Sequence, residues 1–145
     1  MIRHKTEIRV RYADTDQMKV VYHAKYLEYF EVGRSALIRS LGMPYSELED
    51  RGILLPVVEV YAKYRKPARY DELLLIESFV TEIPHATLKI EYRICFGSEE
   101  NLLVEGYTVH SFLNSSTSKP TRAPSYFVQI LEKAMTSSSD SRRHN

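Results

Sequence analysis

The sequence predicts an α+β fold in which a curved antiparallel sheet wraps around one long helix. The prediction rests on an early apolar stripe with helical spacing, four later segments with strand-like patterns, and short turns between those segments. A helix with one apolar stripe needs a partner surface, and a sheet curved around it provides one. Short turns join antiparallel neighbours, so the later strands should form a meander.

The chain begins with a strand that leads into the long helix. Residues 6–12 alternate between apolar and charged side chains, which predicts a strand with one buried face. From about His23 the apolar residues follow a helical period, and Gly42 ends the helix. Gly33 lies in the apolar stripe, where glycine costs about 1 kcal/mol of helix stability relative to alanine. We therefore expect the helix to approach a sheet closely at Gly33.

A short helix, four strands and a last helix complete the predicted domain. They are expected at about residues 44–49 (helix), 58–65, 73–82, 86–96 and 102–113 (strands), and 125–135 (helix). The single domain is predicted to cover residues 1–135, and the serine-rich, polar segment 136–145 is predicted to be a disordered tail. Several strands are apolar on both faces, so a homodimer or homotetramer is expected to cover them.

Composition limits the classes of function. The formal net charge of +1 gives no reason to expect nucleic acid as a partner, and no apolar run reaches the roughly 20 residues needed for an integral membrane segment. A single cysteine, Cys95, suits a reducing cytoplasm. The five histidines lack metal-ligand spacing, and no glycine-rich phosphate loop is present. No metal or other cofactor is therefore predicted.

The most unusual local sequence is YADTDQMKVVYH at residues 12–23, which joins the first strand to the long helix. It contains two carboxylates, Asp14 and Asp16, just before a helix start. The first N–H groups of a helix lack intrahelical partners and can stabilise an oxyanion. A carboxylate opposite them could attack a carbonyl carbon or activate a water. Alternatively, both aspartates are turn formers or helix caps, which the spacing alone favours.

Residues 12–34 resemble the opening motif of the 4-hydroxybenzoyl-CoA thioesterase family of hotdog proteins. They are most similar to the acyl-CoA thioesterases associated with the Tol–Pal system. The resemblance continues through GILLPV (52–57), YRKPARYD (64–71) and KPTRAP (119–124), and so covers nearly all of residues 5–135. It implies a hotdog fold and an enzyme that hydrolyses a short-chain or aromatic acyl-CoA to the free acid and CoA.

The resemblance also implies a role for individual residues. Asp16 matches the catalytic carboxylate, acting as a nucleophile that forms a mixed anhydride or as a general base for water. His23 matches the residue at the helix start whose backbone N–H polarises the thioester carbonyl, and its side chain would orient the substrate. Tyr22 and Tyr26 would line the acyl pocket. Asp14 would hold the turn.

Lys19 departs from the family, which usually has glycine at this position. Glycine permits a positive φ and close backbone approach, whereas lysine in the left-handed region costs roughly 1–2 kcal/mol. Either the turn is built differently, or substrate approach is altered. The departure favours a second interpretation, a non-catalytic acyl-CoA-binding hotdog module. A third, a hotdog dehydratase, would need a hydration motif that the sequence lacks.

Basic side chains cluster at the end of the first predicted late strand and in the turn after it. They are Lys63, Arg65, Lys66 and Arg69. In one interpretation, Arg65, Lys66 and Arg69 bind the phosphates of CoA, since guanidinium and ammonium groups suit phosphate. In the other, the cluster is a solvated basic edge that prevents unwanted strand pairing. The sequence does not decide between these interpretations.

Overall fold

The computed structural model describes residues 1–144, with side chains described as far as residue 137. Its elements are β1 (Ile2–Arg9), a 3-10 helix (Tyr12–Asp14), α1 (Lys25–Ser40), α2 (Tyr45–Asp50), β2 (Ile53–Leu54), β3 (Val57–Tyr64), β4 (Leu73–Val80), β5 (Thr87–Phe96), β6 (Leu102–Asn114), β7 (Pro120–Thr121) and α3 (Ser125–His144). No helix in this part of the chain is long and apolar enough to cross a membrane.

The strands of the described chain form one seven-stranded antiparallel sheet. The long strands lie in the order β1-β4-β5-β6, and β3 pairs with β6 on the side opposite β5. The short strands β2 and β7 pair with the end of β6. The predicted meander is confirmed for β4, β5 and β6, which pair in sequence order through short connections. It is wrong for β3, which pairs with β6 and not with β4, because β1 occupies the free side of β4. Gly97, with φ of 81°, supplies the left-handed residue in the β5–β6 connection.

The helix-facing side of the sheet forms the core with α1. Alternate strand residues point to this side, as the period of two requires. Phe30 of α1 is fully buried and stacks on Tyr92 of β5, with ring centroids 4.3 Å apart. The other large, fully buried side chains on this face of the sheet include Leu74, Ile76, Leu88, Ile90, Ile94 and Phe112. One long helix held against an antiparallel sheet is the α+β arrangement that the sequence predicts and the hotdog fold that the resemblance implies.

The close approach predicted at Gly33 is confirmed. A Cβ atom at this position would lie 2.6 Å from Oγ of Ser78 and 2.8 Å from Cγ2 of Ile76, both on β4. Any larger residue would push α1 away from the sheet. The helix-propensity cost of Gly33 is therefore offset by the packing that it permits.

Two predicted boundaries differ from the structure. β1 spans Ile2–Arg9, and Tyr12, predicted to lie on its buried face, is 75% exposed in the 3-10 helix. Arg9 pairs with Leu73, the first residue of β4, and beyond it only Val10 bonds to the turn before β4, donating to Glu72 and accepting from Asp71. Tyr12 then begins the 3-10 helix and leaves the sheet. The helix α3 continues to His144, past its predicted end and into the predicted tail. Extending a nucleated helix costs little, since each added residue forms one hydrogen bond. Residue 145 lies outside the described residues.

Candidate active site

Asp16 lies in a tight hairpin between Thr15 and Val21, which form an isolated antiparallel bridge. The Asp16 N–H donates to the Val20 carbonyl at 2.9 Å, and the Lys19 N–H donates to the Asp16 carbonyl at 2.9 Å. The Met18 N–H donates to Oδ1 of Asp16 at 2.8 Å. Asp16 is exposed in the single chain. The turn thus orients the carboxylate through one oxygen, while the second accepts no hydrogen bond from the described residues.

Lys19 occupies the left-handed position that closes this hairpin, with φ of 65°. A type I turn followed by a left-handed residue is a standard three-residue hairpin loop, and glycine is the residue that suits it best. The turn therefore keeps the conformation that a glycine would allow. Lysine adopts it at a cost of about 1–2 kcal/mol.

We expect Lys19→Gly to raise the free energy of unfolding by about 0.5–1 kcal/mol. Relief of the left-handed strain exceeds the entropy that glycine adds to the unfolded chain. Urea unfolding at neutral pH measures the change. Lys19→Ala is the matched control, because it removes the charge but keeps the strain. Equal stabilisation by both variants would show that strain at Lys19 is not the cause.

Asp14, the other aspartate of the motif, is a buried structural residue. Its carboxylate accepts hydrogen bonds from the Tyr29 hydroxyl at 2.8 Å and from the backbone N–H of Arg11 at 3.1 Å. The Arg11 guanidinium lies 3.1 Å away. The Asp14 carbonyl accepts from the Tyr22 N–H at 3.0 Å. Asp14 therefore connects the 3-10 helix, α1 and the chain that enters α1, in line with the turn-holding role implied by the resemblance.

The start of α1 presents two unpaired amides. The backbone N–H groups of His23 and Ala24 have no acceptor among the described residues, and α1 has no side-chain cap. The next amide, of Lys25, already donates to the Tyr22 carbonyl at 2.9 Å. N–H groups at a helix start carry partial positive charge. Those of His23 and Ala24 can therefore donate to a carbonyl oxygen or an oxyanion.

A cleft of about 250 Å³ opens beside this helix start. It is lined by Val21, His23, Tyr26, Tyr64, Arg65, Lys66 and Pro67. The two walls are joined at Ala68, whose carbonyl accepts from the Val21 N–H at 2.8 Å and whose N–H donates to the Tyr26 hydroxyl at 3.1 Å. These two hydrogen bonds hold the segment after β3 against the start of α1, and this gives the cleft a defined shape.

The cleft brings together four of the residues that the sequence predicted for the site. These are His23, Tyr26, Arg65 and Lys66. Asp16, Tyr22 and Arg69 do not line it in the single chain. Tyr22 is near, since its ring centroid lies 4.4 Å from that of His23. Tyr26 lies beneath the cleft and is almost fully buried, and this burial raises the pKa of its hydroxyl.

The three basic side chains of Arg65, Lys66 and Arg69 differ in whether they already have hydrogen-bond or ion-pair partners. Arg65 pairs with Glu105, with Nη2 and Oε1 2.6 Å apart, and this hydrogen bond lowers the pKa of the Glu105 carboxyl. Lys66 Nζ donates to the Asn101 side chain at 3.1 Å. Arg69 pairs through its backbone with Val20, and its guanidinium makes no ion pair with the described residues. Of the three basic side chains, that of Arg69 is thus the least engaged within the described chain.

Sequence reasoning missed two tyrosines at the site, Tyr29 and Tyr64. Tyr29 holds Asp14, and its place beside Tyr26 in the helical stripe could have indicated that it is buried. Tyr64 donates from its hydroxyl to the His23 carbonyl at 3.1 Å. No local pattern gives this contact, which joins residues far apart in the chain. Among the residues that the structure describes, no His, Cys, Asp and Glu side chains are grouped as metal ligands.

The chain resembles known proteins over the whole of this region. A model of the thioesterase-like superfamily matches residues 10–131. YneP of Bacillus subtilis (strain 168), provisionally named an acyl-CoA thioesterase, is 39% identical over 116 residues, which cover 80% of this chain and 83% of YneP. The acyl-CoA thioester hydrolase YbgC of Escherichia coli O6:H1 is 30% identical over 121 residues, 83% of this chain and 90% of YbgC. The structure of DHNA-CoA thioesterase from Staphylococcus aureus matches with a TM-score of 0.84 and 32% identity, over 99% of this chain and 95% of that one.

Proposed function

Because this chain belongs to the thioesterase-like superfamily, we propose that it hydrolyses the thioester bond of acyl-CoA, with Asp16 as the reacting carboxylate and the His23 amide as the oxyanion donor. The observation that carries the proposal is the pair of unpaired amides, His23 and Ala24, beside a cleft at the start of α1. The finer assignment, to the 4-hydroxybenzoyl-CoA thioesterase family and its Tol–Pal-associated branch, rests on the resemblance of residues 12–34.

The proposed chemistry has two forms that share the same oxyanion contact. In the first, an Asp16 oxygen attacks the carbonyl carbon, the C–S bond breaks, and CoA leaves as the thiolate; water then hydrolyses the mixed anhydride. In the second, Asp16 takes a proton from water as the resulting hydroxide attacks the same carbon; the C–S bond then breaks, and Asp16 returns the proton to the departing CoA thiolate. Both forms develop negative charge on the carbonyl oxygen, which the His23 N–H stabilises. Recovery of ¹⁸O in Asp16 after turnover in labelled water would identify the anhydride route.

The CoA moiety is proposed to bind beside the cleft through basic side chains. Arg69 has a guanidinium that is free of ion pairs among the described residues, and it lies on the segment that pairs with Val20. Arg65 and Lys66 line the cleft, and they would exchange Glu105 and Asn101 for phosphate oxygens. A guanidinium group can bind a phosphate through two parallel hydrogen bonds, as it binds a carboxylate.

The functional unit is proposed to be a homodimer or homotetramer. β3 pairs with β6 on one side only, and its apolar side chains Val57, Val58 and Val60 are exposed. An exposed apolar edge strand favours pairing with a second copy. A second copy there would also border the cleft, because Tyr64 lies at the end of β3. Water excluded from that groove would strengthen the oxyanion contact. The buried, free Cys95 suits the proposed cytoplasmic setting.

The direct test is a panel of acyl-CoA substrates, from short aliphatic to aromatic acyl groups, with release of free thiol as the readout. We expect saturable, enzyme-dependent thiol release from at least one class. Saturable binding without thiol release would instead support the non-catalytic acyl-CoA-binding module. Hydration of an enoyl-CoA would support a dehydratase.

A further inference from the structure

Tyr64, the last residue of β3, contacts the backbone at the start of α1. Its hydroxyl donates to the His23 carbonyl at 3.1 Å, whereas the Tyr26 N–H reaches the same oxygen only at 3.4 Å. The shorter of the two hydrogen bonds to the His23 carbonyl therefore comes from Tyr64, a residue of the sheet. The His23 carbonyl belongs to the same peptide group as the unpaired Ala24 N–H. The hydrogen bond from Tyr64 therefore holds the peptide group that carries this N–H.

The ring of Tyr64 is held in place by packing. Its centroid lies 5.4 Å from that of Tyr26 and 6.3 Å from that of His23. Its backbone pairs with Val104 in the β3–β6 ladder. The hydroxyl is thus placed by the β3–β6 ladder and by ring contacts with two residues at the start of α1. Preorganised support of this kind fixes donors near a reacting atom without reorganisation during the reaction.

We propose that Tyr64 is a positioning residue for the thioester hydrolysis, because its hydroxyl holds the 23–24 peptide group, which carries the Ala24 N–H and directly follows the His23 N–H, the proposed oxyanion donor. This inference rests on the proposed function. A hydrogen bond to one end of a peptide group also polarises the group, which strengthens the N–H at the other end as a donor. Tyr64 does not need to touch the substrate to have this effect.

The test is Tyr64→Phe, which removes the hydroxyl and keeps the ring contacts. Loss of one neutral hydrogen bond, about 1 kcal/mol, predicts a kcat about fivefold lower, with KM changed less than about twofold. Tyr61→Phe is the matched control: Tyr61 lies on the same strand, is also 47% exposed, and stacks on Tyr107. It should keep the wild-type kcat. Thermal unfolding checks that both variants are folded.

A second measurement, of amide chemical shifts, distinguishes a failure of the Tyr64 proposal from a failure of the proposed function. In ¹⁵N-labelled protein, the amide signals of Ala24 and Tyr26 should move in Tyr64→Phe and stay in place in Tyr61→Phe. Wild-type kcat in Tyr64→Phe, a change in KM alone, or unmoved amide signals would overturn the role of Tyr64 and leave the proposed function standing. Absence of thiol release by the wild-type protein would overturn the proposed function and, with it, this catalytic role.

Discussion

Asp16→Asn is expected to lower kcat by on the order of 10²–10⁴-fold and to leave the fold intact. Asparagine keeps the oxygen that accepts the Met18 N–H, so the hairpin should be preserved. Its amide can neither attack a thioester carbonyl nor take a proton from water. Asp16 is also exposed in the single chain, so its replacement should cost little stability.

Thiol release at saturating acyl-CoA measures this effect, and circular dichroism checks the fold. Asp50→Asn is the matched control, because Asp50 is an exposed aspartate at the end of α2, remote in sequence from the hairpin. It should retain the wild-type kcat. A wild-type rate in Asp16→Asn would remove Asp16 from the chemistry even if the chain proves to be a thioesterase.

Asp14→Ala is expected to cause a large loss of stability. The substitution leaves the Tyr29 hydroxyl and the Arg11 N–H without their acceptor, and a buried donor left unpaired costs about 1–3 kcal/mol. Tyr29 is almost fully buried, so water does not readily replace the carboxylate. Urea unfolding at neutral pH measures the loss.

A double-mutant cycle identifies the cause. Tyr29→Phe removes the hydroxyl, so in the Asp14→Ala background it should cost little or restore some stability. In the wild-type background the same substitution should be destabilising, because the Asp14 carboxylate then loses a donor. Additive effects of the two substitutions would show that the Asp14–Tyr29 hydrogen bond contributes no stability of its own.

The contribution of Asp14 should also depend on pH. Burial, the largest single influence, raises the pKa of the Asp14 carboxyl, but hydrogen bonds from the Arg11 backbone, the Tyr29 hydroxyl and the Arg11 guanidinium together lower it below its usual value. A lowered pKa in the folded state means that the stabilisation is complete above the unfolded pKa, about 3.9, and is lost as pH falls through the folded value. The stability difference between wild type and Asp14→Ala should therefore be constant near neutral pH and shrink below about pH 4.

Local sequence and resemblance indicated which residues form much of the candidate site. They did not indicate which of those residues contact one another. The motif at residues 12–23 correctly indicated a turn before a helix, and resemblance identified Asp16 and His23 as the residues to test. The alternation that predicted a strand through Tyr12 was wrong at its end, since the pattern continues beyond the last pairing partner on β4. The contact of Tyr64 with His23 joins residues 41 positions apart, so no local period could indicate it.

The sequence by itself determined the local structure: the helix with Gly33 in its apolar stripe, the meander of β4, β5 and β6, and the positions of Asp14 and Asp16 before the helix. These follow from periodicity and turn chemistry, which act between neighbouring residues. Only the tertiary structure decided that β1 lies beside β4, that β3 is left at the edge, and that Tyr64 reaches the start of α1. Such pairings join distant segments, and they are selected by how well the whole core packs, which no single segment encodes.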